Sequence, residues 1–283
     1  MPARHPVAAF LLFSGWHVGG VAVALLAGTG AWLGLPVSPA LLGVAACATI
    51  LIYQWEQPAR WAPEAAYSHP ERTAWRQQYR TFRQVLSVGL LAGLGLLLPS
   101  LAVRTLLLCV PLGLLALLYL APVLPGRRRL KTWPLAKPMV VTMAWALGAV
   151  LPVVTEAGVP LTSAAWGLVL LRAALVWPNA LLADWGDREG DRRAGLQTLA
   201  AQSSQPRVRR LALLPLGMAV GVLVTGLLKG WLPPVATGEV GGYLLLGAVV
   251  LGPWPRSPWF YTLLLDGLVA VPGVLAVAGR AMG

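Results

Sequence analysis

Residues 179–200 read NALLADWGDREGDRRAGLQTLA and hold four of the ten acidic residues in a chain of net charge +12. Set on a helix, Asp184, Asp187 and Asp191 fall at i, i+3 and i+7, within an arc of roughly 60° at about 100° per residue. Three carboxylates on one helical stripe repel one another unless a cation or water separates them. Glu189 points to the other side and reads as an ordinary solvated acid. Two readings stand at this point: a polar loop between apolar segments, or a cation site at a helix end.

The surrounding composition is that of a membrane protein. Hydrophobic residues make up 57% and charged residues 11%, and the mean hydropathy is +0.70, so long apolar segments are expected rather than a soluble core. Trp32, Trp133, Trp231 and Trp259 fall at expected span ends, as an interfacial belt requires. Cys47 and Cys109 lie inside apolar runs and read as packing residues, with no disulfide or metal spacing. The first apolar stretch follows Arg4 and His5 and shows no small-residue cleavage site, so it is expected to be a retained helix.

Apolar runs place about nine spans. They cover about Pro6–Leu26, Ser38–Trp55, Gln84–Pro99, Leu101–Leu120, Pro138–Thr155, Thr162–Leu182, Leu211–Leu228, Gly241–Leu251 and Pro258–Val277. The expected fold is all-α: a single polytopic membrane domain over residues 1–283, with loops near 56–83, 122–137 and 183–210. These loops follow the second, fourth and sixth spans and so share one side. With Arg4 and Arg256 they carry eighteen of the 22 Lys and Arg. The positive-inside rule puts them and the N-terminus in the cytoplasm and the C-terminus outside, with a bacterial inner membrane as the expected location. Topology thus accounts for the basicity, and nucleic-acid binding is not expected.

Acids recur at the ends of two spans: Glu56 after the second, and Asp184, Asp187 and Asp191 after the sixth. Four carboxylates from two helices suit Mg²⁺, which prefers oxygen ligands and shares itself with substrate phosphates. Loop arginines and lysines, Arg192 among them, are placed to clamp those phosphates. The implied ligand is a diphosphate at the mouth of an apolar bundle.

The run from Asp184 to Leu199 resembles the second aspartate-rich motif of the UbiA superfamily of intramembrane prenyltransferases, D-x-x-D-x-x-G-D-R-x-x-G-x-x-T-L, down to Gly195 and Thr198. The basic stretch Arg129-Leu130-Lys131 with Lys137, followed by Ala144-Trp145-Ala146, is similar to the family's segment after its fourth helix. The resemblance implies a helical bundle around a central cavity open to lipid. It implies two facing aspartate-rich motifs that hold Mg²⁺ and an isoprenyl diphosphate, whose allylic carbon alkylates a lipophilic acceptor, often an aromatic ring or quinone precursor. Carried over by position, Asp184, Asp187 and Asp191 are the metal and diphosphate residues, and Lys131 and Lys137 the cationic contacts. Protein partners are not implied.

The first motif departs from the family pattern. The matching stretch, residues 52–60, reads IYQWEQPAR: Glu56 alone keeps an acid, Arg60 stands where another acid is expected, and Pro58 disturbs the helix. Arg60 then suits direct contact with a phosphate, or marks a member without catalysis. The alternative to a prenyltransferase is therefore a non-catalytic isoprenoid- or lipid-binding protein on the same fold. His69-Pro70-Glu71-Arg72 resembles the segment that follows this motif in some bacterial relatives.

Other polar residues within the spans carry further expectations. Arg172 and Asp266 are the most deeply placed charges; the readings are a mutual pair or an ion pathway, the latter the mark of a transporter. Glu156 and Glu239 fall in expected outer loops and read as solvated. His17 reads as a hydrogen-bonded packing residue. Tyr119 is either an interface tyrosine or a cavity residue, and Asn179, just over a turn before the aspartates, bonds either within a site or to a neighbouring helix.

Overall fold

The computed structural model describes residues 6–55, 68–120, 134–255, 257 and 259–282. Helices α1 (Pro6–Phe13), α2 (Trp16–Leu33) and α3 (Pro39–Trp55) come first, then a short amphipathic α4 (Pro70–Gln78) leading into α5 (Arg80–Leu97). Helices α6 (Val103–Leu120), α7 (Ala136–Ala157) and α8 (Ser163–Arg193) follow. The one-turn α9 (Leu199–Gln202), then α10 (Gln205–Leu228), α11 (Ala236–Leu251) and α12 (Leu265–Met282) complete the chain. A π-helical turn, Phe260–Leu264, leads directly into α12. Among the described residues six helical segments are long and apolar enough to cross a membrane; α3, α6 and α11 are shorter apolar helices.

Two expectations about span ends are corrected. The stretch Pro6–Leu26 is not one helix: Gly15 sits at φ 81°, a left-handed conformation that ends α1 and lets α2 restart at Trp16. The loop expected from about residue 183 starts later, because the helix of the sixth span continues past Leu182. Helix α8 runs 31 residues, about 46 Å at the usual rise, which exceeds a bilayer core of about 30 Å. Its start is capped by Thr162, whose hydroxyl accepts from the Ala165 N–H at 3.2 Å. Its end is a Schellman turn. Leu196 N donates to Asp191 O at 2.8 Å and Gly195 N to Arg192 O at 3.1 Å, with Gly195 at φ 70°. The aspartate stripe is therefore helical throughout, and Arg192 and Arg193 occupy the last turn, where cations suit the helix dipole.

The core joins α2, α7, α8, α10, α11 and α12. Helices α2 and α12 approach closely because Gly28 faces the backbone of Gly273, and a Cβ at either would meet main-chain atoms. A third correction concerns the buried charges. Arg172 is not paired with Asp266. Its guanidinium makes a fork to Glu239 at 2.6 and 2.7 Å, with both side chains fully buried. Glu239 is thus no solvated loop residue; it lies in the first turn of α11, facing α8. Tyr243, one turn on, donates to Leu171 O at 2.6 Å. Glu156 is partly buried and accepts from the Ala102 N–H at 3.1 Å.

Candidate functional site

Asp184 and Asp187 come from the part of α8 that projects beyond a bilayer core's length, one turn apart on one face. Lys137, in the first turn of α7, bridges them. Its ammonium lies 2.7 Å from Asp184 Oδ1 and 2.9 Å from Asp187 Oδ2. His69, capping the start of α4, places Nε2 2.7 Å from Asp187 Oδ1, and Ser68 Oγ donates to Asp187 O at 3.1 Å. Pro70 starts α4 at the position where a missing N–H costs nothing. Trp75 anchors the helix by packing with Leu12 and Phe13 of α1. Arg76 donates to Tyr53 O at 2.9 Å, and Arg83 Nε to Gln54 Oε1 at 2.7 Å, tying α4 and α5 to the end of α3.

These groups line a polar chamber of about 140 Å³, whose walls also hold His17, Arg72, Tyr119, Asn179, Tyr261 and Asp266. Beside it is an apolar cavity of about 410 Å³ between α2, α3, α5, α6 and α7, walled by residues such as Leu25, Val44, Leu112 and Ala149. Tyr53, Tyr119 and Val141 line both, so the chamber abuts the apolar cavity. The arrangement suits an amphiphile with an anionic head and a hydrocarbon tail.

Asp191 and Arg192 stand apart from the chamber lining. Asp191 is buried and accepts from Thr198 Oγ1 at 2.9 Å, while Thr198 also caps α9. Arg192 is exposed and donates to Ala201 O at 2.9 Å. The Asp191–Thr198 bond gives the end of the sequence motif a structural role: it folds the chain back after Gly195. Glu56, Arg60 and Lys131, expected at the site, lie outside the described residues. Tyr119 and Asn179 do reach the chamber, Asn179 donating to Asp266 Oδ1 at 3.2 Å. His69, Arg72 and Arg76 are chamber residues to which the sequence assigned no role at the site, although His69 and Arg72 fall in the segment that resembles bacterial relatives. Their signal was the Pro70-started amphipathic helix, which carries Arg72 and Arg76 at i and i+4.

Among the described residues, no group of three or more His, Cys, Asp and Glu closes on a single metal position. The fit to a divalent cation rests on Asp184. Its Oδ2 is buried and accepts no hydrogen bond, a costly state for a carboxylate oxygen. Asp184 and Asp187 supply the hard oxygen donors that Mg²⁺ takes, and Mg²⁺ commonly completes its shell with water and phosphate. The residues present fit such an ion.

Fold and chamber together define an all-helical integral membrane protein with a charged head chamber above an apolar cavity. The chain belongs to the UbiA prenyltransferase family, whose model matches residues 68–263. Among solved structures it is similar to a UbiA homolog from Archaeoglobus fulgidus bound to GPP and Mg²⁺, with 14% identity, a TM-score of 0.64, and 95% of this chain and 99% of that one covered. The same homolog bound to DMAPP and Mg²⁺ matches at 15% identity and a TM-score of 0.56, over 95% and 99% of the two chains. A structure described as digeranylgeranylglyceryl phosphate synthase in membranes matches at 12% identity and a TM-score of 0.60, over 97% and 98%. No curated protein matches in sequence.

Proposed function

We propose that this protein transfers an isoprenyl group from a prenyl diphosphate to a lipophilic acceptor within the membrane, in a Mg²⁺-dependent reaction. The observation that carries the reading is the junction of the two spaces: the Lys137–Asp184–Asp187 cluster stands at the head of an apolar cavity entered past Tyr53 and Tyr119. Family membership and the GPP- and DMAPP-bound relatives support it.

Asp184 and Asp187 would hold the ion, with Glu56 the candidate from the first motif. When bound, Mg²⁺ would supply positive charge to offset that on the diphosphate oxygens. Lys137, Arg72 and Arg76 donate to those oxygens and offset the charge that builds as the allylic C–O bond breaks. The apolar walls hold the chain extended and keep water from the allylic carbon, so that transfer outruns hydrolysis. In the membrane the chamber faces the cytoplasm, on the side of the basic loops, with the N-terminus inside and the C-terminus outside.

The test is a screen with protein reconstituted in lipid. Prenyl diphosphates of several chain lengths are scored for Mg²⁺-dependent diphosphate release, with membrane extract as the acceptor source. Binding and release that both need Mg²⁺ are expected. Absence of both for every chain length sinks the reading. Binding without release selects the non-catalytic isoprenoid-binding alternative, which the depleted first motif around Glu56 and Arg60 favours.

A further inference from the structure

Asp266 sits on the chamber wall, away from the carboxylates that face Lys137. Three elements converge there. His17 comes from the first turn of α2, just after the left-handed Gly15, and its Nε2 lies 3.2 Å from Asp266 Oδ2. Asn179 comes from α8 and donates to Asp266 Oδ1 at 3.2 Å. Asp266 itself follows the π-helical turn Phe260–Leu264, whose Tyr261 and Thr262 also line the chamber. Such π-helical turns often re-aim a side chain at a functional site. All three polar residues line the chamber, and the Asp266 side chain is 19% exposed. A carboxylate inside a membrane bundle is expensive, and no lysine or arginine is paired with this one among the described residues.

Depth fixes which part of a ligand meets this group. Asn179 precedes Asp184 by five residues on the same helix, about 7.5 Å toward the membrane interior. A head group held at Asp184 and Asp187 therefore puts the reacting carbon, not the phosphates, beside Asp266. Each Asp266 oxygen has one donor and keeps a lone pair for another. The charge on this wall is negative, whereas Lys137 and His69 are gathered at the Asp184–Asp187 end.

We propose that His17, Asn179 and Asp266 form the acceptor subsite, that Asp266 receives the acceptor's proton, and that the acceptor is a neutral hydroxyl compound rather than an anionic one. The proposal rests on the prenyl-transfer reading above. The acceptor's O–H donates to Asp266. As the acceptor's oxygen forms its bond to the allylic carbon, the carbon–oxygen bond to the diphosphate breaks and its electron pair leaves with the diphosphate. The proton released from the acceptor goes to the Asp266 carboxylate. Asp266 is the catalytic residue, and His17 and Asn179 position it by fixing one oxygen each. A carboxylated or phosphorylated acceptor would bring a second negative charge against Asp266 and is disfavoured.

The experiment uses reconstituted full-length protein with geranyl diphosphate and Mg²⁺, and two matched acceptors, 1-naphthol and its anionic analogue 1-hydroxy-2-naphthoate. The neutral acceptor is expected to be prenylated at least about tenfold faster, the size of effect a like-charge contact produces. Asp266→Asn should lower kcat about a hundredfold, as loss of a proton acceptor does, while the Kd for geranyl diphosphate stays unchanged. Asp266→Glu, which keeps the charge, should recover part of kcat, and His17→Gln should fall between the two. Because the Kd readout reports a folded chamber, a loss of kcat from misfolding is recognised at once, and Asp266→Glu then decides. If the parent protein binds no geranyl diphosphate, the prenyl-transfer reading falls and takes this proposal with it. If it binds, the proposal alone is overturned by any of three results: no transfer to 1-naphthol, preference for the anionic acceptor, or an Asp266→Asn variant with the parent kcat.

Discussion

Lys137 is the residue on which the chamber turns, because one ammonium balances two carboxylates of which Asp184 is almost fully buried. Removing it leaves that charge uncompensated, which for a buried pair costs about 3 kcal/mol or more. Lys137→Met should therefore melt earlier than the parent in detergent without metal, and Mg²⁺ should restore most of the loss while raising the parent's melting temperature less. Equal stabilisation of the two by Mg²⁺ would show that Lys137 and the cation do not answer to the same carboxylates. The carboxylates were legible in the sequence from spacing alone, since i and i+3 fix a face of any helix. Lys137 was legible only through resemblance, because nothing local says that the start of α7 meets the end of α8. The same limit explains the wrong partner expected for Arg172. A buried arginine announces the need for an acid, but whether Asp266 or Glu239 meets it depends on which helix packs alongside, and that is a tertiary fact.

Elements carry these residues to one another, and their ends were harder to read than their middles. Apolar runs located the spans because a bilayer sets their length. The break at Gly15 was missed because a single glycine inside an apolar run is also common in unbroken spans. The spacing of the aspartates offered the continuation of α8 as one of two readings, and the change from apolar to charged residues, which leaves the helical backbone unaffected, left its end at Arg193 unmarked. Helices α8 and α11 are joined by the Arg172–Glu239 fork and by the Tyr243 bond to Leu171 O, both buried. Glu239→Gln should destabilise the protein by about 3 kcal/mol, because it strands a buried guanidinium. Replacing both partners, Arg172→Leu with Glu239→Leu, should recover much of that loss, since two apolar side chains leave no unpaired charge. Thermal melts of the double variant and of its two single-leucine parents decide the matter: losses that simply add would mean that the two groups do not act as a pair.

At the scale of the molecule, the bundle separates a charged chamber from an apolar cavity and joins them at Tyr53, Tyr119 and Val141. The division follows from the sequence: α8 outlasts the membrane and carries its acids past the apolar core, while α3, α6 and α7 stay apolar where they face the cavity. The apolar cavity runs along α7 from Val140 to Pro152, twelve positions or about 18 Å at the helical rise. A chain anchored by its head at Lys137 must therefore extend along α7, and its far end meets Gly148 and Pro152 only if it is long. Gly148 lines the cavity, and a Cβ there meets no atom within 4 Å, so a side chain at this position enters open space without forcing the fold. Gly148→Phe should then leave dimethylallyl diphosphate binding near the parent value and weaken binding as the chain lengthens, because the ring occupies the far half of the channel. Kd values for a series from dimethylallyl to geranylgeranyl diphosphate, measured with Mg²⁺, give the slope directly. An equal loss at every length would mean that the hydrocarbon does not lie along α7, and the two spaces would then have to serve different ligands.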